Sequence, residues 1–249
     1  MRSEERAKAP KKPKVKVTAD AEDGEGSIER EPTDDEQPEL EAEVIRFETT
    51  NITSANSNRP TILARKAHLQ CLQEMCLTVQ QVNTFKKEAR QKGKTYIGGP
   101  PDPEQGKAAA GVGVIAIKGL NIYPVPKPTK DYLDAVKTGR LQIVCMDIDG
   151  ETLVCATIYG WTGGNKGSAE AARTDDLIAI ALDQFENMAP GPKMIAGDLN
   201  ATVEALPTVQ AMVTVQGWTD VGNHSGLCRG KAGQPTCQSN GKVKESRID

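Results

Sequence analysis

A two-residue link between two apolar segments constrains the fold of this chain most strongly. The segments LQIVCMDI (141–148) and ETLVCATIYG (151–160) are joined only by Asp149 and Gly150. Both linking residues tolerate a positive φ, as a tight hairpin turn requires, so the segments are predicted to pair as antiparallel strands. The rest of the chain alternates strand-like and helix-like segments, which indicates an α/β domain. An antiparallel pair within such a domain favours mixed sheets over a doubly wound parallel sheet.

The other predicted elements follow the same alternation. Strands are predicted at 44–53, 68–74, 111–118 and 193–197, and helices at about 78–92, 169–188 and 203–217, with a loop and short helix at 56–67. Thr78 is predicted to cap its helix, because a threonine hydroxyl can accept from a free backbone N–H of the first turn. The segments 93–110, 119–139 and 160–168 are interpreted as loops. The basic residues Lys127, Lys130, Lys137 and Arg140 could contact a phosphate backbone or simply be solvated.

The first 43 residues differ in composition from the remainder. Residues 1–16 are basic, and residues 17–43 carry twelve Asp/Glu against one Arg and almost no large apolar side chain. Such a segment cannot bury enough surface to offset its conformational entropy, so 1–43 is predicted to be disordered. Of the 31 basic and 34 acidic residues, 8 and 14 lie in this tail. Residues 44–249 therefore hold 23 and 20, a mildly cationic balance that permits a nucleic-acid partner.

The composition also indicates the cellular location of the protein and the redox state of its cysteines. The longest uncharged apolar stretch, 108–117, is too short to span a bilayer, and no signal-peptide core is visible, so we expect an intracellular protein with no membrane partner. The basic run 11–16 is compatible with a nuclear import signal and equally with a solvated basic segment. The six cysteines show no CxxC pair, so reduced thiols and no disulfide-linked partner are expected. Zinc at Cys228 and Cys237 would lack sufficient histidine ligands.

Polar residues stand at the ends of four predicted strands. Asn51 ends the first, Glu74 the second, Tyr159 the hairpin, and Asp198 the strand that continues into GDLN (197–200). Each residue alone has a structural explanation; Asp198 and Asn200, for example, could form an Asx-turn or a helix cap. The ends of neighbouring strands, however, form a common rim where ligands of layered α/β folds collect. The occurrence of Asn51, Glu74, Tyr159 and Asp198 at successive strand ends therefore indicates a ligand-binding or catalytic site.

The ordered elements TTNIT, LQE, IYG, GDLN and RID resemble those of the endonuclease/exonuclease/phosphatase superfamily, which includes pancreatic-type deoxyribonuclease and apurinic endonucleases. The resemblance extends from about residue 44 to residue 249. It implies an α/β (α+β) fold, a four-layer α/β/β/α sandwich with mixed sheets. It also implies a phosphodiesterase, most simply a nuclease, that uses Mg²⁺ or Mn²⁺.

The resemblance assigns a role to each residue that matches a motif. Glu74 would be the main metal ligand, with Asn51 beside it. Asp198 would orient and deprotonate the attacking water, while Asn200 would hydrogen-bond a phosphate oxygen and Tyr159 would place a phenol near the scissile phosphate. These residue types suit the chemistry, because a carboxylate can accept the water's proton and a neutral amide can donate without neutralising that carboxylate.

One catalytic element of the family has no counterpart here. Asp249 in SRID matches the carboxylate that orients a catalytic histidine, but the SDH element that carries this histidine is absent, and neither His68 nor His224 occupies its position. The domain is therefore expected to be incomplete at its C-terminus, a fragment of a longer enzyme, and weakly active or inactive. Two alternatives remain open: a phosphatase acting on a small or lipid phosphoester, and a non-catalytic binding domain.

Overall fold

A computed structural model describes residues 16–20, 44–102 and 110–224, together with two short strands at 237–238 and 245–246. The strands are β1 Lys16–Asp20, β2 Val44–Asn51, β3 Leu69–Gln73, β4 Lys94–Gly98, β5 Gly113–Ile117, β6 Ile122–Pro124, β7 Leu141–Ile148, β8 Glu151–Tyr159, β9 Lys193–Asp198, β10 Cys237–Gln238 and β11 Glu245–Ser246. The helices are α1 Ala55–Ala64, α2 Val79–Gln91, α3 Lys130–Lys137, α4 Ala169–Glu186 and α5 Pro207–Thr214.

Two mixed sheets form the centre of the molecule. The first has the order β1-β2-β3-β5-β4 and the second β6-β7-β8-β9, while β10 and β11 pair only with each other. Strands β1, β2 and β3 run parallel, as do β8 and β9; the other neighbours are antiparallel. The predicted hairpin joins β7 and β8, and its turn residues Asp149 and Gly150 have φ values of 51° and 84°. The prediction of mixed sheets is confirmed.

The sheets pack face to face between two layers of helices. Helices α1 and α2 cover the outer face of the first sheet, and α3, α4 and α5 cover that of the second. The core between the sheets contains Ile45, Phe47, Leu69, Cys71, Val114 and Ala116 from the first and Val144, Met146, Leu153 and Cys155 from the second. These four layers confirm the α/β/β/α sandwich.

Two of the predicted loops contain regular structure. Strand β4 lies within 93–110, where flanking glycines and prolines favoured a loop; its Tyr96 is buried and packs edge-on against Phe85 at 5.1 Å between ring centroids. Strand β6 and helix α3 lie within 119–139. Helix α3 is short and largely charged, but it buries Tyr132 and Ala135 and is capped by the Thr129 hydroxyl. Tertiary burial thus overrides a weak local signal.

Strand β1 lies within the segment 1–43, which the sequence predicts to be disordered. Lys16–Asp20 pairs in parallel with Val44–Glu48 at the edge of the first sheet. An edge strand offers unpaired backbone groups to any extended neighbour, and Val17 and Thr18 are β-branched residues that suit a strand. The other residues of the tail lie outside the described part of the chain.

The last predicted helix, 203–217, is divided in two. Val203–Ala205 forms a single 3₁₀ turn and α5 begins at Pro207. Proline has no backbone N–H to donate, so it is suited to the first turn of a helix and poorly suited to its interior. Helix α4 ends at Glu186, two residues before the predicted end.

Helix α2 begins with the predicted cap. The Thr78 hydroxyl accepts from the Gln81 N–H, and the Gln81 side chain accepts from the Thr78 N–H, which completes a capping box. We expect Thr78→Ala to lower the free energy of unfolding by about 1 kcal/mol, measured by urea denaturation. The matched control is Thr84→Ala in the same helix, whose hydroxyl bonds only the Gln80 carbonyl. It should leave stability unchanged or slightly raised; equal losses from both variants would contradict the cap.

The cysteines agree with the expected reduced state within the described part of the chain. Cys71, Cys145 and Cys155 are buried and free, and Cys76 is free and half-buried. The argument against zinc at Cys228 and Cys237 concerns side chains outside the described residues. Among the residues described, no helix is both long and apolar enough to cross a membrane.

Candidate functional site

The predicted site residues gather where four strands end. Asn51 is the last residue of β2 and lies opposite Gln73, after which Glu74 leaves β3. Tyr159 and Asp198 are the last residues of β8 and β9 and lie opposite each other. Since the two sheets are stacked with these ends at one edge, residues far apart in sequence meet there.

A hydrogen bond joins the two sheets at this edge. The Asn51 side-chain Nδ2 donates to Asp198 Oδ2 at 2.7 Å. The orientation of the Asn51 amide is set by its other end, because the Thr53 N–H donates to Asn51 Oδ1 at 3.1 Å. Asn51 therefore combines a local turn contact with a contact across 147 residues of sequence.

Asp198 forms the turn that its sequence favoured and also a contact to the opposite sheet. Its Oδ1 accepts from the Asn200 N–H at 3.1 Å, which is the Asx-turn that GDLN favoured. Its Oδ2 faces Asn51 on the opposite sheet. The carboxylate is thus held by one donor on each oxygen, and its orientation is fixed from two directions.

Burial raises the pKa of Asp198, and the hydrogen bonds from Asn51 and Asn200 partly offset that rise. A raised pKa makes the carboxylate a stronger base than an exposed aspartate. The same rise means that the charged form weakly opposes folding above this pKa, because the unfolded carboxyl group ionises more readily. This edge of the sheets therefore holds a carboxylate whose pKa is raised and whose ionisation slightly destabilises the fold.

Glu74 and Tyr159 meet at the same place. Burial raises the pKa of the Tyr159 phenol, and the negative charges of Glu74 and Asp198 raise it further. Tyr159 is consequently protonated at neutral pH and offers a hydrogen-bond donor. Glu74 itself has a φ of 54°, a left-handed conformation that is sparsely populated for glutamate and that concentrates at functional sites.

Asn200 is oriented by a backbone carbonyl. Its Nδ2 donates to the Gly160 carbonyl oxygen at 3.1 Å, and its φ of 51° suits asparagine better than most residues. A side chain at residue 160 would collide with the backbone of Leu199, so glycine is required for this close approach of β8 and β9. An amide nitrogen carries two hydrogens, so Asn200 keeps one for a ligand.

Several residues that support the site were missed by the sequence reasoning. Gln73 Nε2 donates to Thr157 Oγ1 at 2.9 Å, a buried bridge between the sheets directly below Glu74 and Tyr159. Arg140, which was assigned to a basic surface, is only 2% exposed and pairs with buried Asp102. That interpretation of Arg140 was wrong, because the guanidinium is enclosed beneath the site. The three lysines of the same group are exposed.

The chain's two histidines are not among these residues. His68 is buried, and its Nδ1 accepts from the Arg46 N–H at 3.0 Å, which places it five residues, roughly 16 Å, along the strand from Asn51. Burial and the charge of Arg46 lower the pKa of His68, so it is a neutral packed residue. His224 is exposed after the 3₁₀ turn Val221–Asn223. Asp249 lies outside the described residues.

The donor atoms at the site suit a hard cation. Among the described residues, no three His, Cys, Asp or Glu side chains converge as a preformed metal site. Glu74 and Asp198 nevertheless supply two carboxylates with the Asn51 amide between the sheets. Mg²⁺ keeps several waters and binds proteins through one or two carboxylates, so this oxygen-only set fits it, whereas zinc favours sulfur and nitrogen.

Solved structures with the same fold are known. The 3′-5′ exonuclease NExo from Neisseria meningitidis has a TM-score of 0.55 at 16% identity, over 81% of this chain and 83% of that one. A second structure, of the 3′ phosphatase NExo from Neisseria bound to a product DNA hairpin, has a TM-score of 0.56 at 15% identity over the same shares. A more distant match, the human Nocturnin catalytic domain, has a TM-score of 0.45 at 16% identity and aligns with 63% of this chain. The aligned part spans only 60% of the Nocturnin domain.

Comparison by sequence alone finds no similar protein. No protein-family model matches the chain, and no curated protein matches it significantly. The similarity to the two NExo structures shows that this chain shares their fold. The fold that the resemblance from TTNIT, LQE, IYG and GDLN implied is thereby confirmed.

Proposed function

We propose that this chain is a divalent-metal-dependent phosphodiesterase whose substrate is a nucleic acid. The observation that carries the proposal is the hydrogen-bonded link between Asn51 and Asp198, which assembles the polar ends of both sheets into one site. Glu74, Tyr159 and Asn200 stand around that link. Two carboxylates, two amides and a protonated phenol at one edge suit hydrolysis of a phosphate ester better than they suit a purely structural role.

Asp198 is proposed as the general base. Its two hydrogen bonds fix the carboxylate, and its raised pKa increases its affinity for a proton of the attacking water. Asn200 donates its second amide hydrogen to a non-bridging phosphate oxygen, while Tyr159 donates its phenolic hydrogen from the other side. Both donors are neutral, so they stabilise negative charge developing on phosphate without forming an ion pair with Asp198.

Glu74 and Asn51 are proposed to hold Mg²⁺ or Mn²⁺. When bound, such a cation offsets the negative charge of the phosphate and of the leaving oxygen. The chain itself orients the ligands: Glu74 through its unusual backbone conformation and Asn51 through the N–H of Thr53.

Nucleic acid is the substrate class that the surroundings favour. Residues 44–249 have a small cationic excess, and the loop after Tyr159 carries the exposed Lys166. Arg173, in the second turn of helix α4 beside that loop, is also exposed. Phosphate contacts by such side chains supply most of the sequence-independent affinity for a nucleic-acid backbone. The DNA hairpin in the second NExo structure is consistent with this proposal.

The rate is expected to be low, because no imidazole stands among the described site residues. Incubation of supercoiled plasmid, abasic duplex, single-stranded RNA and a phosphoinositide panel with the purified chain tests the proposal. We expect slow nicking with Mg²⁺ that EDTA abolishes. Release of phosphate from phosphoinositides without nicking would favour the phosphatase alternative. Binding of nucleic acid without cleavage of any substrate would contradict the enzyme assignment and favour a binding domain.

A further inference from the structure

Arg140 and Asp102 form a buried ion pair under the candidate site. Arg140 Nε lies 3.0 Å from Asp102 Oδ2, and the two side chains are 3% and 2% exposed. Burying two charges is costly, and apolar residues of similar size often give equal or greater stability. Stability alone is therefore a weak explanation for this pair, and its other contacts indicate what it does.

The guanidinium also binds the backbone at the end of β8. Arg140 Nη1 donates to the Gly160 carbonyl oxygen at 2.8 Å and lies 3.3 Å from that of Tyr159. The Gly160 carbonyl is the same atom that accepts from Asn200 Nδ2 at 3.1 Å. Arg140 and Asn200 therefore share one acceptor, and the position of that carbonyl sets the direction of the Asn200 amide.

The flat face of the guanidinium makes a second set of contacts. The Arg140 Cζ lies 5.1 Å from the centroid of the Tyr159 ring and 4.6 Å from that of Trp161. Within about 6 Å such a pair is attractive, and the interaction is stronger when water is excluded. One buried side chain thus contacts the ring of Tyr159, the ring of Trp161 and the carbonyl that orients Asn200.

We propose that Arg140, held by Asp102, is a positioning residue that orients Asn200 and Tyr159 for the reaction. The proposal of a role in catalysis rests on the proposed function, whereas the orientation of Asn200 does not. Lysine cannot replace this arrangement, because a single ammonium group cannot contact a carboxylate and two carbonyls in one plane while stacking on two rings.

Arg140→Lys is the test variant because it keeps the charge opposite Asp102. The side-chain amide signals of Asn200 are followed in ¹⁵N-asparagine-labelled protein and identified by their loss in Asn200→Ala. We expect Arg140→Lys to shift these signals and to speed their hydrogen exchange by about fivefold or more, the loss expected for one hydrogen bond. The control is Arg59→Lys, whose guanidinium pairs with Glu88 on α2, away from the site. It should leave the Asn200 signals unchanged.

Kinetics provide a second readout. In Arg140→Lys we expect kcat to fall about tenfold with KM within about twofold, because a misplaced group affects the transition state most. In an Asn200→Ala background the same change should have little further effect, since residues that act through one another are not additive. If Arg140→Lys does not fold, Asp102→Asn, which removes the charge that holds the guanidinium, is measured in the same way and should cause smaller changes of the same kind.

The outcomes separate this proposal from the proposed function. An inactive wild type would refute the proposed function but leave the Asn200 signals as the test of positioning. Unchanged Asn200 signals in a folded Arg140→Lys protein would overturn the proposal, as would an additive double mutant. A loss of kcat that follows only the unfolded fraction would also overturn it.

Discussion

Asp198→Asn is expected to abolish Mg²⁺-dependent cleavage, with a fall in rate of about 10³-fold. Asparagine matches the shape of aspartate but cannot accept the water's proton. It also presents an NH₂ group to Asn51 or to the Asn200 N–H, both of which donate to the native carboxylate. The measurement is the initial rate of plasmid nicking at saturating Mg²⁺.

The fold of Asp198→Asn should remain intact. Since the native charge weakly opposes folding at neutral pH, its removal offsets part of the lost hydrogen bonding, and we expect the free energy of unfolding to change by less than about 1 kcal/mol. Asp134→Asn, at an exposed position of helix α3, is the matched control and should retain full activity. In the wild type the rate should rise as pH passes the raised pKa of Asp198. An Asp198→Asn protein that cleaves at the wild-type rate would refute the assignment of the base.

Glu74→Gln is expected to reduce cleavage about 100-fold at limiting Mg²⁺, because the main negatively charged oxygen donor is lost while the size is kept. Excess Mg²⁺ should restore part of the rate in Glu74→Gln but none in Asp198→Asn, which separates binding of the cation from proton transfer. The control is Glu88→Gln on helix α2. A Mg²⁺ requirement equal to that of the wild type would contradict the role of Glu74.

The sequence predicts the architecture well where the local signals agree with the tertiary structure. The Asp149-Gly150 hairpin, the Thr78 cap and the apolar strands all carry strong patterns, and each is present. Strand β4 and helix α3 are short and lie among glycines, prolines or charges, so only packing against the rest of the fold defines them. Strand β1 likewise depends on an edge supplied by β2, which no local pattern reports.

For the candidate site, likewise, some residues could be predicted from the sequence and others could not. Each of the five predicted residues lies at or just after the end of a recognisable strand, and strand ends meet at one edge, so Asn51, Glu74, Tyr159, Asp198 and Asn200 could be selected. The hydrogen bond from Gln73 to Thr157 and the burial of Arg140 could not be predicted. Both depend on contacts between segments that are far apart in sequence. Because lysines precede it in the sequence, Arg140 was interpreted as a surface residue. Its burial is explained by its pairing with Asp102, whose own segment was interpreted as a loop, and by its contacts to the Tyr159 and Gly160 carbonyls.

The central claim is that Asn51, Glu74, Tyr159, Asp198 and Asn200 form one cation-dependent site, and a Mg²⁺ titration followed by NMR tests it most directly because it needs no turnover. The account predicts saturable shifts of the Asn51 and Asn200 side-chain amide signals in the wild type and their loss in Glu74→Gln. Shifts confined to the acidic residues 21–43, or unchanged asparagine signals at saturating Mg²⁺, would contradict it.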